Sequence, residues 1–533
     1  MSKRPILLLI ACIVAAAVAY RYSQPPSLAP RKETETIRAS QETPPLAELP
    51  AYVATTRDPT KQIPEFEANA AIANESILTF STKDDLNAFL VELDKAGIQT
   101  SAINQKLLSV KLALENEQIK VVRRLAGKEV TFESNYTILT PFPITPDTAG
   151  ENRAFEENVL PYLGVPSDNA NWGEGTTVAI LDTGVLAHKT LTGVSIKHID
   201  LVDAEQTKKT AYAPHGTAVA SLIAGQSKNG IAPSVKLISI RVLDSDGIGD
   251  TFTLAQGIIQ AVDNGADVIN MSLGGFGDST VLRNAVNYAS EKGVALVAAT
   301  GNEGLQLLPY PAAYDNVISV AAIDADTRHA RFSNQAPSVD IAAPGVGVTA
   351  AWDDERWIRF TGTSASTPYV AGAIAALRSQ TAKTSASEAA NTLLQTANDT
   401  GFPGPDPQTG HGVINLQRAL YRKTAKVTDL ALAEIYLAPK PSPSGKITVY
   451  VTVQNRGTEP IASANLQISI GGNIPQNAFL GTLAPGKVKA HQLTLHKDQL
   501  QSANGLSIEA KVVTSYGVPD AIPANDQKAI VIK

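Results

Sequence analysis

Residues 360–372 read FTGTSASTPYVAG. A turn of small residues, Gly362, Thr363 and Ser364, leads into an apolar, alanine-rich run of helix-forming composition at 369–377. Pro368 suits a first helical turn, where a missing N–H costs little. A serine there sits at the positive end of a helix dipole, beside unpaired backbone N–H groups. That place suits a nucleophile whose reaction creates an oxyanion. Three other segments carry matching chemistry. Asp182 ends an apolar run in ILDTG, where a carboxylate can hold an imidazole in one tautomer. His215 opens HGT and a stretch of small residues. Asn302 ends another apolar run in ATGNEG, and its side-chain N–H can serve as an oxyanion donor.

Each residue also has an ordinary structural reading. Ser364 reads equally as a helix N-cap, Asp182 as an Asx turn, His215 as a polar helix start and Asn302 as a turn residue of positive φ. What favours chemistry is their joint placement at the strand ends of one sheet, where sites of open α/β sheets lie.

That sheet is predicted from the rhythm of residues 177–377. Strand-length apolar runs recur at 178–181, 235–243, 268–271, 294–299 and 317–321. Several are continuous rather than alternating, as for strands buried on both faces. Helical patterns lie between them at 217–224, 254–262 and 282–289, and Ser385 with Glu388 forms a capping box. The expected fold class is α/β, a mainly parallel sheet with helices on both faces.

The region 162–419 resembles the subtilisin-like serine peptidases. The resemblance is carried by AILDTGV, HGTAVASLIAG, GIAPSVKLISIRVLDSDGIG, INMSLGG, ATGNEG, YPAAYDNVISVAA, APGV, GTSASTPYVAG and GHGVINLQRAL. It implies a serine endopeptidase acting on polypeptide substrates, with Ser364 as nucleophile, His215 as general base and acid, and Asp182 orienting the imidazole. Asn302, with the Ser364 backbone N–H, is then the oxyanion hole. Ser272, Leu273 and Gly274 resemble the substrate-pairing strand, and residues 246–249, with Gly247 and Gly249, the opposite edge strand. His188 matches a family histidine with no catalytic role. No cofactor is required for this chemistry; structural calcium, frequent in the family, has no recognisable run of carboxylates, and no metal ligands are assigned. The chain departs from the family pattern at Ala365, where methionine is usual, and at Ser366, Thr367 and Tyr369. Pro309 lies near the expected floor of the specificity pocket.

The remaining chain divides by pattern. Residues 1–19 read as a signal peptide, with Lys3 and Arg4 before an apolar run ending in Ala17, Val18 and Ala19. An uncleaved anchor or a lipoprotein box ending at Cys12 are the other readings. A secreted, periplasmic or cell-surface protein follows. Cys12 is the single cysteine, so removal of this segment leaves no thiol and no disulfide. Residues 20–73 read as a disordered spacer. Residues 74–137 read as a small α+β domain of β-α-β-β-α-β order, resembling the family's inhibitory propeptide, and 138–156 as a processing linker. The peptidase domain is expected at 157–424. Residues 425–533 show strand runs separated by turns and no helical pattern, and read as an all-β, Ig-like sandwich of unknown partner. The net charge of −6 argues against nucleic acid as a partner. A degenerate or self-inhibited relative acting as a surface or binding protein is the alternative.

Overall fold

The computed structural model describes residues 33–35, 71–127, 129–141, 152–202, 214–226, 229–353, 356–380, 384–438, 446–496, 505–514 and 519–532. The expected signal segment with Cys12, most of the expected spacer and much of the expected linker lie outside these residues.

Seven parallel strands form the central sheet. They are β5 (Thr177–Asp182), β6 (Ile196–Asp200), β7 (Lys236–Arg241), β9 (Val268–Met271), β10 (Ala295–Ala299), β11 (Val317–Ile323) and β12 (Ile341–Pro344). Their spatial order is β12-β11-β10-β9-β5-β7-β6, and every pairing is parallel. The strand β5 shows why the runs are continuous. Val178 and Ile180 face one core with helix α3 (His215–Ala224) and helix α6 (Thr363–Gln380). Ala179 and Leu181 face a second core with α4 (Thr251–Asp263) and α5 (Thr280–Glu291). With apolar cover on both faces, no position of the strand can be polar at low cost. Chain order reverses beside β5, between β9 and β7, and a crevice opens at such switch points. The edge strand β6 and the hairpin β13 (Val348–Ala351) with β14 (Trp357–Phe360) were not foreseen. Both are short and only half patterned.

The N-terminal unit has the expected element order: β1 (Ala71–Thr79), α1 (Lys83–Lys95), β2 (Ala102–Asn104), β3 (Ser109–Ala113), α2 (Asn116–Ala126) and β4 (Thr131–Leu139). Its core is Leu78, Leu86, Phe89, Leu93, Val110, Leu112 and Val122. The first strand starts at Ala71, ahead of the expected boundary at residue 74. This unit is fastened to the central α/β unit through helix N-termini. Glu133 accepts from Thr280 N (2.7 Å), Val281 N (3.1 Å) and Ser279 Oγ (3.2 Å) at the start of α5. Asn135 Oδ1 accepts from Thr251 Oγ1 (2.8 Å) and Phe252 N (3.2 Å) at the start of α4. Each side chain satisfies N–H groups a helix cannot pair itself. The strand β4 continues the attachment by pairing antiparallel with β8 (Ile248–Asp250).

The C-terminal unit is a sandwich of two antiparallel sheets. One holds β15 (Leu430–Leu437), β16 (Lys446–Asn455) and β19 (Val488–His496); the other holds β17 (Ile461–Ile470), β18 (Gln476–Leu483), β20 (Leu506–Thr514) and β21 (Gln527–Ile532). Glu33–Glu35, within the expected spacer, pairs antiparallel with β21. The sandwich meets the central α/β unit at a polar seam. Gln454 accepts from Asp399 N (3.1 Å) and donates to the Ala397 carbonyl (3.1 Å). Thr400 Oγ1 donates to Glu434 (3.1 Å), which also holds Lys528. Phe402 meets the rings of Tyr436 and Tyr450 edge-on, and those two rings lie 6.5 Å from each other.

Two predictions follow from these contacts. Burial, and then the neighbouring Asp406, push the Asp399 carboxyl up to about 7, and burial pushes Asp406 up to about 6. The folded chain therefore binds these protons more tightly than the unfolded chain. Their contribution is full in acid and is lost as pH rises through the folded values. Asp399→Asn is expected to raise the melting temperature at pH 8 and to do little at pH 5; an equal effect at both would refute this. At the other unit, Glu133→Ala should weaken docking by about 0.5–2 kcal/mol. The check is faster cleavage of residues 71–141 by an added protease, with the rest of the chain unaffected.

Candidate active site

Asp182 is the last residue of β5 and His215 the first of α3. Both are buried. His215 Nδ1 lies 2.9 Å from Asp182 Oδ1 and 3.0 Å from Oδ2. The carboxylate can only accept, so Nδ1–H donates and Nε2 is left as the acceptor. Asp182 Oδ1 also accepts from Thr183 N (2.7 Å) and Thr183 Oγ1 (3.1 Å), and Thr183 Oγ1 accepts from Gly216 N (3.1 Å). This closed loop binds the strand end to the helix start. It requires glycine at 216: a Cβ there would stand 2.2 Å from the Gly184 carbonyl. On its open side the His215 ring meets Phe360 edge to face, 5.4 Å between centroids.

Thr363 opens α6, so Pro368 lies inside the helix rather than in its first turn. The reason it is tolerated is local. Proline has no N–H for the carbonyl four residues back, which belongs to Ser364. Ser272 Oγ supplies the missing donor to that carbonyl, at 3.1 Å. Ser364 Oγ in turn donates to the Ser272 carbonyl at 3.4 Å. The two serines thus lock the end of β9 to the head of α6. No hydrogen bond joins Ser364 to His215 here; such contacts often tighten only when substrate is bound.

Asn302 follows β10. Its Oδ1 accepts from Thr363 N and Thr363 Oγ1, both at 2.9 Å. Fixing the oxygen there turns Nδ2 away from it, toward Gly362. Gly362 has φ +145°, and a Cβ on it would come within 2.9 Å of that nitrogen. The Asn302 amide nitrogen therefore lies against Gly362, two residues before Ser364.

The five expected substrate-contacting residues divide. Gly274 exchanges two hydrogen bonds with Leu139, both 2.9 Å, and the Gly247 carbonyl accepts from Thr140 N at 3.0 Å. Gly249 pairs with Ile138. Ser272 and Leu273 are wholly buried, and Leu273 faces the core. The strand β4 of the N-terminal unit thus lies between these two edges and pairs with both. His188 stands apart from the site: its Nδ1 accepts from Thr190 N at 3.2 Å and its Nε2 bonds the Arg356 carbonyl at 3.2 Å. Thr183, Phe360 and Thr363 escaped sequence reading because each acts by holding another residue, and only the fold shows what it holds.

A profile described as the Subtilase family matches residues 173–412. The chain is 37% identical over 255 residues to the thermostable alkaline protease of Halalkalibacterium halodurans, covering 46% of this chain and 68% of that one. It is 37% identical over 254 residues to subtilisin BL of Lederbergia lenta, covering 46% of this chain and 91% of that one. The chain belongs to the subtilase family. The thermophilic serine proteinase of Bacillus sp. strain AK1 is 42% identical over 230 residues, covering 41% of this chain and 56% of its own. As a subtilase the protein is a serine endopeptidase with the subtilisin fold, carrying an additional C-terminal all-β unit. Among the described residues no three His, Cys, Asp or Glu side chains converge to hold a metal ion. No helix among them is long and apolar enough to cross a membrane.

Ala365 is fully buried behind Ser364. An alanine there presents no thioether to oxidants. Activity is expected to survive peroxide in the wild type and to fall in Ala365→Met; equal losses in both would overturn the point.

Proposed function

We propose that Ser364, His215 and Asp182 act as the catalytic triad of this endopeptidase, with Asn302 as the oxyanion donor. The observation that carries the reading is the buried Asp182–His215 pair at 2.9 Å, set beside a serine at the head of a helix. In this scheme His215 Nε2 takes the Ser364 proton as Oγ bonds the scissile carbonyl carbon. The carbonyl oxygen becomes an oxyanion, held by Asn302 Nδ2 and the Ser364 N–H. Collapse breaks the C–N bond, and the leaving amine takes the proton from His215. Water then attacks the acyl-enzyme, giving a proton to His215, which returns it to Ser364 Oγ. Asp182 holds the ring in the required tautomer and stabilises the imidazolium when it forms.

The same reading makes residues 71–141 a propeptide that inhibits the enzyme until it is removed, and the protein a secreted one. Supporting inhibition, β4 runs through the cleft and its backbone uses the hydrogen bonds a substrate would need. The names of the relatives, bacterial alkaline proteases and subtilisins, support secretion together with the N-terminal sequence. The occupied cleft equally favours a second reading, in which the unit is never released and the chain serves as a self-inhibited binding protein.

Expression of the wild type beside Ser364→Ala separates the two. The expected result is loss of the N-terminal unit in the wild type alone, labelling of Ser364 by a serine-directed phosphonate, and a fall in activity of about 10³-fold or more in the variant. Identical unprocessed chains that do not label would leave the second reading.

A further inference from the structure

The strand β9 reads Val268, Ile269, Asn270, Met271, and all of these residues are wholly buried. Asn270 is the polar one. Alternation sets it on the face of Val268, which packs in the core shared by α3 and α6. An amide is expensive in such a place unless its groups are paired. The Asn270 Oδ1 is buried and meets no hydrogen-bond partner among the described residues. Leucine has nearly the same shape and would fill the position without that penalty. The asparagine therefore stands here against the demands of packing.

Its other polar atom is engaged. Asn270 Nδ2 donates to Ser272 Oγ at 3.1 Å. Ser272 Oγ donates to the Ser364 carbonyl, also at 3.1 Å. A carbonyl only accepts, so the Ser272 proton points to Ser364 and a lone pair points back to Asn270. The same reasoning fixes the amide. Turned over, its oxygen would face Ser272 Oγ and compete for that proton. The three groups thus form a one-way chain, from amide through hydroxyl to carbonyl. At its end lies the carbonyl that Pro368 leaves without a donor inside α6. A serine hydroxyl is free to rotate, and the amide removes that freedom by holding its acceptor side. The Ser272 main chain is held in return, since its carbonyl accepts from Ser364 Oγ at 3.4 Å.

We propose that Asn270 is a positioning residue for peptide hydrolysis: it aims the Ser272 hydroxyl at the Ser364 carbonyl and so holds the backbone of the nucleophile at the head of α6. The proposal rests on Ser364 being the nucleophile. Asn270 takes no part in bond making and acts only through Ser272.

The test compares variants of the full chain after maturation, with active centres counted by phosphonate labelling and kcat, KM and melting temperature measured for each. Asn270→Leu is expected to lower kcat per labelled centre about tenfold, to leave KM within about twofold, and to leave the melting temperature unchanged or higher. Asn270→Asp keeps the shape, but its carboxylate accepts the Ser272 proton and turns it away from Ser364, so kcat should fall similarly. Ser272→Ala removes the middle of the chain of bonds and should lower kcat as well. Adding Asn270→Leu to that variant should cost nothing more, because the two residues act as a unit. A residue that only fills the core would give the opposite pattern, a shifted melting temperature with kcat unmoved. That pattern overturns the proposal, and so do losses that multiply in the double variant. Should the leucine variant fail to fold, the aspartate and Ser272 variants still decide. A wild type that neither cleaves nor labels refutes the nucleophile assignment instead.

Discussion

Everything at this site depends on how closely the end of β5 approaches the start of α3. Asp182 and His215 are 33 residues apart in the chain, and they meet because no side chain intervenes at Gly216. A carboxylate buried this deeply costs several kcal/mol unless it is paired and hydrogen-bonded. Here it has an imidazole N–H, a backbone N–H and a hydroxyl. The arrangement makes the pair costly to disturb, and so fixes the ring plane against which Phe360 packs. Orientation of the imidazole is therefore a property of the sheet and helix, set before any substrate arrives.

A second constraint acts from the other side of the cleft. The proline inside α6 would ordinarily break or bend the helix, since it leaves a buried carbonyl without a donor. Ser272 repairs that loss from the end of a different strand. The head of α6 is thereby tied to β9, while Asn302, through Thr363, ties it to β10. Two adjacent strand ends hold the head of one helix. The geometry around Ser364 is shared among elements that cannot move independently.

The sequence was legible where pattern reflects local chemistry. The parallel sheet showed itself in runs such as 178–181, because burial on both faces leaves a continuous apolar signature. The four residues Asp182, His215, Asn302 and Ser364 stood out because each ends or begins an element at a small-residue turn. The N-terminal unit was legible from its alternation of β1, α1 and β3. What could not be read was every role that depends on a distant partner. Glu133 and Asn135 look like ordinary polar strand residues, yet each caps a helix more than a hundred positions away. Pro368 seemed to mark a helix start, because the serine that replaces its missing donor is 92 positions off from the carbonyl it serves. Short edge elements such as β6 and β14 were missed since half-buried strands of four or five residues carry little periodic signal.

The gap that β4 fills is, in backbone terms, a sheet with its middle strand left out. The groups on Gly247, Gly249 and Gly274 that line it are main-chain N–H and C=O, which any polypeptide can match in the extended form and none can match as a helix. Pairing along this stretch therefore selects for extended backbone before it selects for sequence. A compact folded protein has already committed its backbone hydrogen bonds elsewhere and has nothing to offer. Loops, termini and unfolded chains keep theirs free, so extended backbone is what this gap accepts.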